Sequence, residues 1–236
     1  MRVFVAGAAG VIGRRMVPLL LQAGHHVTGT TRSAERARAL SAAGATPAIV
    51  DVYDAAALAD VMRASRPEIV IHQLTDLPQE LENVAASAAA NARIRVEGTR
   101  NLIAGATAAG AHRLIVQSIA FVYRPGGEPH PETDPLNRDD PARAASVNAV
   151  ATMEQMTLAA PRMNGLALRY GMLYGPGTWH ERPAVKPALH VDAAAQAALL
   201  AVTRGAPGLY NIADEDGAVA IDKARRDLGF DPAFRL

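Results

Sequence analysis

The sequence predicts an α/β protein built on a doubly wound parallel sheet. Three observations carry that expectation. Short apolar runs alternate with helical patterns along the 236 residues, and Gly, Pro, Ser and Asp punctuate the junctions. No internal repeat or low-complexity linker interrupts the alternation. Strands that alternate with helices form βαβ units, and their parallel sheet must be covered on both faces. The crossovers of such units are right-handed.

Each element has its own signal. "RVFVAG" is an apolar run entering glycines, and "GRRMVPLLLQAG" has helical spacing with Gly24 as its C-cap. "HHVTGTTR" reads as a second strand and Ser33 to Ala43 as a second helix. "TPAIVDV" is a third strand, and Asp54 caps a helix to about Ser65. "PEIVIHQLT" is a fourth strand, followed by an Ala-rich helical region from Leu81 to Gly110. "RLIVQSI" is a fifth strand, and a Pro/Gly/Asp-rich loop separates it from a helix over Ala142 to Ala160. "GLALRYGMLYGPG" begins as a sixth strand and breaks into a loop. Val191 to Arg204 is helical, "GLYNIAD" is a strand and "DKARRDLGF" a terminal helix. Residues 1–175 are expected to form the dinucleotide-binding part, and 176–236 a reduced C-terminal lobe carrying the last strand and helix.

Composition narrows the function. A net charge of +1 gives no reason to expect nucleic acid or an anionic membrane as partner. The chain has no cysteine, so disulfides, thiol catalysis and Cys-ligated metals are excluded. No stretch is apolar for long enough to span a bilayer. The opening "MRVFVAGAAGVIG" places glycines where a secretory leader needs an apolar core, so a cytoplasmic location is expected. The spacing of His180, Glu181 and His190 matches no helical metal-binding pair, and no metal site is expected.

"GAAGVIG" puts Gly7, Gly10 and Gly13 between the first strand and the first helix. Gly7 permits the tight turn, Gly10 lets backbone approach a pyrophosphate, and Gly13 permits close helix–strand packing. With Val11 and Ile12 at the helix start, free N–H groups face the phosphates. The motif follows a strand and opens an amphipathic helix, the context a Rossmann dinucleotide site requires. About 20 residues on, NAD sites carry an Asp or Glu for the ribose hydroxyls. This chain reads "TGTTRSAER", with Arg32 and Ser33 there and no carboxylate before Glu35. A guanidinium pairs with a 2′-phosphate, so NADP(H) is expected ahead of NAD(H).

With "GAAGVIG", "DVYD", "VEGTRNL", "QSIAFVY" and "RYGMLYGPG" in order, the chain resembles the extended short-chain dehydrogenases/reductases, the NAD-dependent epimerase/dehydratase group, over nearly its whole length. The resemblance implies that Asp51 and Val52 contact the adenine. His72, Gln73 and Leu74 would line the cofactor at the end of the fourth strand. Ser118 would border the nicotinamide, and Gly171 and Met172 would pass beneath it. The resemblance also implies a homodimer packed through the Ala85–Gly110 and Ala142–Ala160 helices.

The departures are equally specific. The family's Tyr-x-x-x-Lys pair falls on Ser146 and Val150, its catalytic Ser/Thr on Ile119, and its helix Asn on Arg95, which is counted among the expected cofactor-binding residues. None of the five tyrosines has Lys four residues later. The intervals Trp179 to Leu189 and Glu215 to Ile221 are also short for the family. Tyr123 is the remaining candidate acid, with Ser118 beside it and Arg95 or Arg124 as the cation that would lower its pKa. The leading expectation is an NAD(P)-dependent epimerase, dehydratase or reductase acting on a small or nucleotide-linked carbonyl or hydroxyl compound through a non-standard relay. The alternatives are a non-catalytic dinucleotide-sensing module and a non-redox isomerase, lyase or cyclase reusing the pocket.

Overall fold

The computed structural model describes residues 1–78 and 80–236. Seven parallel strands form one sheet. They are β1 (Arg2–Ala6), β2 (His26–Thr31), β3 (Thr46–Ile49), β4 (Ile69–His72), β5 (Arg113–Ile119), β6 (Asn164–Tyr170) and, after the short β7 (Met172–Tyr174) and β8 (Ala188–His190), β9 (Gly208–Ile212). Their order is β3-β2-β1-β4-β5-β6-β9, while β7 and β8 make a separate two-stranded sheet. All pairs are parallel, with Val5 opposite Gly29 on one side and Ile71 on the other. The order reverses at β1, so a crevice opens between the carboxyl ends of β1 and β4.

Period-two alternation assigns the faces. Val3 and Val5 of β1, Ile69 and Ile71 of β4, and Leu166 and Leu168 of β6 point to one core. Helices α1 (Gly13–Gln22), α2 (Ala34–Ala42), α7 (Val191–Leu200) and α8 (Asp222–Leu228) contribute Met16, Leu40, Ala194 and Leu228 to it. Phe4, Val70, Leu114, Val116 and Ala167 point the other way. There they meet Leu58 of α3 (Ala55–Ser65), Leu102 of α5 (Thr99–Ala109) and Met153 of α6 (Ala144–Leu158). The strands expected to be buried on both sides are so buried, which is why they read as near-continuous apolar runs.

The two expected caps are present: Gly24 follows α1 in the left-handed region at φ 79°, and the Asp54 carboxylate accepts from Ala57 N–H at 2.9 Å. The Ser33 hydroxyl also accepts from the Arg36 N–H at 3.3 Å, and Gly110 closes α5 in the left-handed region. The Leu81–Gly110 region departs from one continuous helix. It resolves into a 3₁₀ turn at Leu81–Asn83, α4 (Ala88–Arg93), a π-helical turn at Ile94–Gly98, and α5. At the outer edge, β3 carries Pro47 and the exposed Ile49.

Candidate functional site

The glycine turn is fixed by two clashes and one vacancy. At Gly7 the backbone has φ +90°, and a β-carbon would lie 2.8 Å from the Gln73 carbonyl carbon at the end of β4. At Gly13 a β-carbon would sit 2.3 Å from the Gly7 oxygen, so α1 approaches the turn only because that position is glycine. Gly10 differs: it is exposed, its backbone is unstrained, and a β-carbon would meet only the Gly7 oxygen, at 3.3 Å. Packing presses on that position far less than on Gly7 and Gly13, and Gly10 lies on the wall of the cleft. Among the described residues, the N–H groups of Val11, Ile12 and Gly13 make no hydrogen bond, and no side chain caps α1. Such a helix start presents free donors to phosphate.

The cleft beside this turn brings together seven of the residues expected to hold a dinucleotide: Gly7, Gly10, Arg32, Asp51, Val52, Gln73 and Leu74. Arg32 and Arg36 are its two basic lining residues among those described. Arg32 lies 3.9 Å from the Asp51 carboxylate, and its side chain is largely exposed. Ser33 keeps its hydroxyl on the α2 cap. Asp51 is further tied down by the Tyr53 N–H at 2.9 Å, and Val52 offers its carbonyl to the Asn101 amide at 2.9 Å. Gln73 donates to the Tyr170 hydroxyl at 3.4 Å and leaves its own buried carbonyl oxygen unpartnered. His72 accepts from the Leu74 N–H at 3.1 Å, and its Nε2 is buried without a partner. Burial, with the Arg95 charge nearby, pushes the His72 pKa down to about 4, so the ring is neutral. The glycine cradle, the unspent amides and the unpartnered Gln73 oxygen fit a bound dinucleotide, whereas His72, expected beside them, does not line the cleft.

Thr30, Thr31, Thr75 and Asp76 line the same cleft and were not singled out by the sequence. Their signal was position alone, at the carboxyl ends of β2 and β4.

Ser118 and Tyr123 do not line the cleft. Ser118 shares the parity of Leu114 and Val116, so it faces α6 and donates to the Glu154 carboxylate at 2.6 Å. Arg169, 2% exposed, clasps the same carboxylate through Nε at 2.8 Å and Nη2 at 2.7 Å. Its Nη1 donates to the Tyr123 hydroxyl at 2.8 Å, which donates to Asn211 Oδ1 at 2.6 Å. Tyr123 also stacks on His130, ring centres 5.2 Å apart. Burial raises the phenol pKa against the opposing pull of Arg169. These hydroxyls are spent on a buried network joining β5, β6, β9 and α6, a placement that departs from the expected proton donor beside the nicotinamide. Arg124, the other expected cation, pairs with Asp139.

The positions where the family keeps its relay hold an apolar cluster. Val150 packs with Val122 and Val147, and Ile119 rests against them. Ser146, half-buried at the start of α6, accepts from Arg95 Nη1 at 3.2 Å. Gly171 and Met172 are used by the backbone: Gly171 N–H donates to Ile212 and Met172 N–H to Pro187. A β-carbon at Gly171 would lie 2.7 Å from the Ala188 oxygen. Beyond them, the Trp179 indole reaches across to the Pro78 carbonyl at 3.3 Å, joining the loop after β7 to the loop after β4.

Comparison with known proteins agrees with this architecture. The 3-diazoavenalumate denitrifying reductase of a Streptomyces species is 40% identical over 261 aligned residues, covering all of this chain and 84% of that protein. Among solved structures, UDP-glucose 4-epimerase of Thermotoga maritima, crystallised with UDP-glucose, superposes with a TM-score of 0.81 at 18% identity, over 100% of this chain and 94% of that one. UDP-glucose 4-epimerase of Thermus thermophilus in complex with NAD gives a TM-score of 0.74 at 22% identity, over 98% and 85%. The sequence model of the NAD dependent epimerase/dehydratase family matches residues 3–188. With a glycine-turn cleft at the switch point of a seven-stranded parallel sheet, the chain belongs to the NAD dependent epimerase/dehydratase family.

Proposed function

We propose that this protein is an NAD(P)H-dependent reductase whose substrate takes hydride without needing a proton from the protein. The observation that carries this is the filling of the relay positions by Ile119, Ser146 and Val150, with Tyr123 and Ser118 locked away in a buried network. When bound, the dinucleotide supplies hydride. The chain's residues hold it, exclude water with the Val122–Val147–Val150 cluster, and offer no phenol–lysine pair to protonate an alkoxide. A ketone or a sugar carbonyl is poorly served by such a site.

An aryl diazonium or related diazo compound is well served. Hydride replaces the nitrogen substituent, the C–N bond breaks with its electron pair leaving on nitrogen, and dinitrogen departs unprotonated. The net change is arene diazonium plus hydride to arene plus N₂. The 40% identical relative is named as a denitrifying reductase of a diazo substrate, which supports this class and speaks against the sensing and non-redox alternatives.

The finer assignments belong to the same proposal. Arg32 and Arg36 on the wall of the cleft support NADP(H), against the NAD in the family's description. Residues 176–236 supply the cover over the substrate, and Trp179 bridging to Pro78 supports that role. The exposed small residues Ala104 and Ala108 of α5 support a homodimer through the α5–α6 surface.

The test is to incubate the protein with benzenediazonium and NADPH or NADH deuterated at the transferring carbon. The expected result is N₂ release and one deuterium on the arene, faster than without protein. Turnover of simple ketones or UDP-sugars at comparable rates, or an arene without deuterium, would overturn the reading.

A further inference from the structure

We propose that Arg95 is the receptor for a carboxylate of the substrate, with the Ser146 hydroxyl orienting the guanidinium. The proposal rests on the reductase reading of the same site, and its test does not depend on turnover.

The protein treats its other buried guanidinium groups differently. Arg169 makes four hydrogen bonds and a two-pronged ion pair with Glu154. Arg113 donates to the carbonyls of Ala201, Arg204 and Gly205. Arg95 is 7% exposed, yet among the described residues its single hydrogen bond is to Ser146, and no carboxylate lies within 4.0 Å. Glu154 is the acid that acts on it electrostatically, and both its oxygens are engaged by Arg169 and Ser118. A guanidinium has five donors and stays charged. Buried cations are normally paired, so four unspent donors on one of them mark an anion to come.

The backbone supports the placement. Arg95 sits on the π-helical turn Ile94–Gly98, an insertion that re-aims side chains and recurs at functional sites. Ile94, its neighbour on that turn, lines the dinucleotide cleft. Ser146 takes the position of the family's missing Tyr, so the Arg95–Ser146 pair stands beside the vacated relay positions, where it would hold the non-reacting, anionic end of a substrate.

Chemistry chooses the anion. A planar carboxylate takes two parallel N–H bonds from one guanidinium, and one charge balances one. Nearby His72 is neutral and adds no second charge. Arg93 is committed to Glu97 at 2.7 Å and lies over the Tyr53 ring. A phosphate dianion would find one cation where it needs two.

Calorimetric titration of the NADP⁺-loaded protein with cinnamate and with its neutral isostere cinnamamide tests this. Cinnamate should bind at least about tenfold tighter than the amide. Arg95→Gln should weaken cinnamate by about 10- to 100-fold and leave the amide unchanged, and Arg95→Lys should restore only part. Ser146→Ala, at a half-exposed position that tolerates the change, should weaken cinnamate several-fold even if Arg95 variants fold poorly. Equal binding of acid and amide, cinnamate affinity unmoved by Ser146→Ala and Arg95→Gln, no binding of cinnamate, or displacement of it by inorganic phosphate at lower concentration would each overturn the assignment. Carboxylate binding that depends on Arg95, without diazonium reduction, would sink the reductase reading and leave this one standing.

Discussion

Replacing Tyr123 with Phe separates a structural hydroxyl from a catalytic one. The hydroxyl accepts from Arg169 Nη1 at 2.8 Å and donates to Asn211 Oδ1 at 2.6 Å. In the variant Arg169 keeps its bond to the Glu132 carbonyl at 3.1 Å and its ion pair with Glu154. Asn211 is fully buried, and its Oδ1 is left with no donor. An orphaned buried acceptor costs about 1–3 kcal/mol, and the lost bond to a charged donor adds to it, so about 2–4 kcal/mol is expected. For a domain of 150–250 residues each kcal/mol moves Tm by about 2–4 °C, so the melt should fall by roughly 5–15 °C. Scanning calorimetry reads this directly. Dinucleotide affinity and diazonium turnover should stay near wild type at a temperature where both proteins are folded. A melt within about 2 °C of wild type, with turnover reduced by the roughly 10²–10⁴ expected for loss of a general acid, would refute the argument and return Tyr123 to the chemistry.

Gly10→Val should leave the fold intact but abolish dinucleotide binding, and retained affinity in a fluorescence titration would mean the phosphates are held elsewhere. NADPH should bind more tightly than NADH. Because the Arg32 guanidinium is exposed, Arg32→Ala should weaken NADPH by only about tenfold and leave NADH unchanged. Equal calorimetric affinities for the two cofactors would remove the 2′-phosphate assignment. The folded protein holds His72 neutral down to about pH 4, whereas the unfolded chain takes up its proton near 6.5. Between those values the unfolded state binds more protons, so stability falls as pH drops through that window, by up to about 1.4 kcal/mol per pH unit. His72→Asn, whose Oδ1 still accepts from Leu74, should flatten this part of the urea-derived stability profile. An unchanged slope would show that other groups carry it.

Much of this molecule is legible in its sequence. Strand and helix alternation, the caps at Gly24 and Asp54, and the glycine turn are local signals, and each is found where its residues place it. The gathering of the expected residues into one cleft at the switch point is legible for the same reason. Gly7 and Gly13 answer to backbone geometry, and Arg32 and Asp51 lie at strand ends that the fold gathers. The reacting end is not. A serine at the end of a strand reads the same whether it faces the cleft or the core, although the parity of Leu114, Val116 and Ser118 carries the answer. Arg169 pairs with Glu154 across the α6–β6 packing, which no local pattern in the apolar run "GLALRY" reveals. The π-turn around Arg95 is similarly silent, because one extra residue in a helical turn leaves the hydrophobic spacing almost unchanged.

The outer strand β3 has a consequence for how this protein behaves in company. Its inward side is set by the Val50 N–H bonding to the Thr31 carbonyl, so Ala48 and Thr46 face β2, and Pro47 and Ile49 face outward. Pro47 has no N–H, which leaves the outward rim of a four-residue strand a single donor, at Ile49. A strand from another molecule that approached the 61% exposed Ile49 would find one donor where a regular edge of this length offers two. The edge is therefore weakened at Pro47, and a crowded solution of these molecules resists stacking edge to edge even though a β-branched apolar side chain marks the rim.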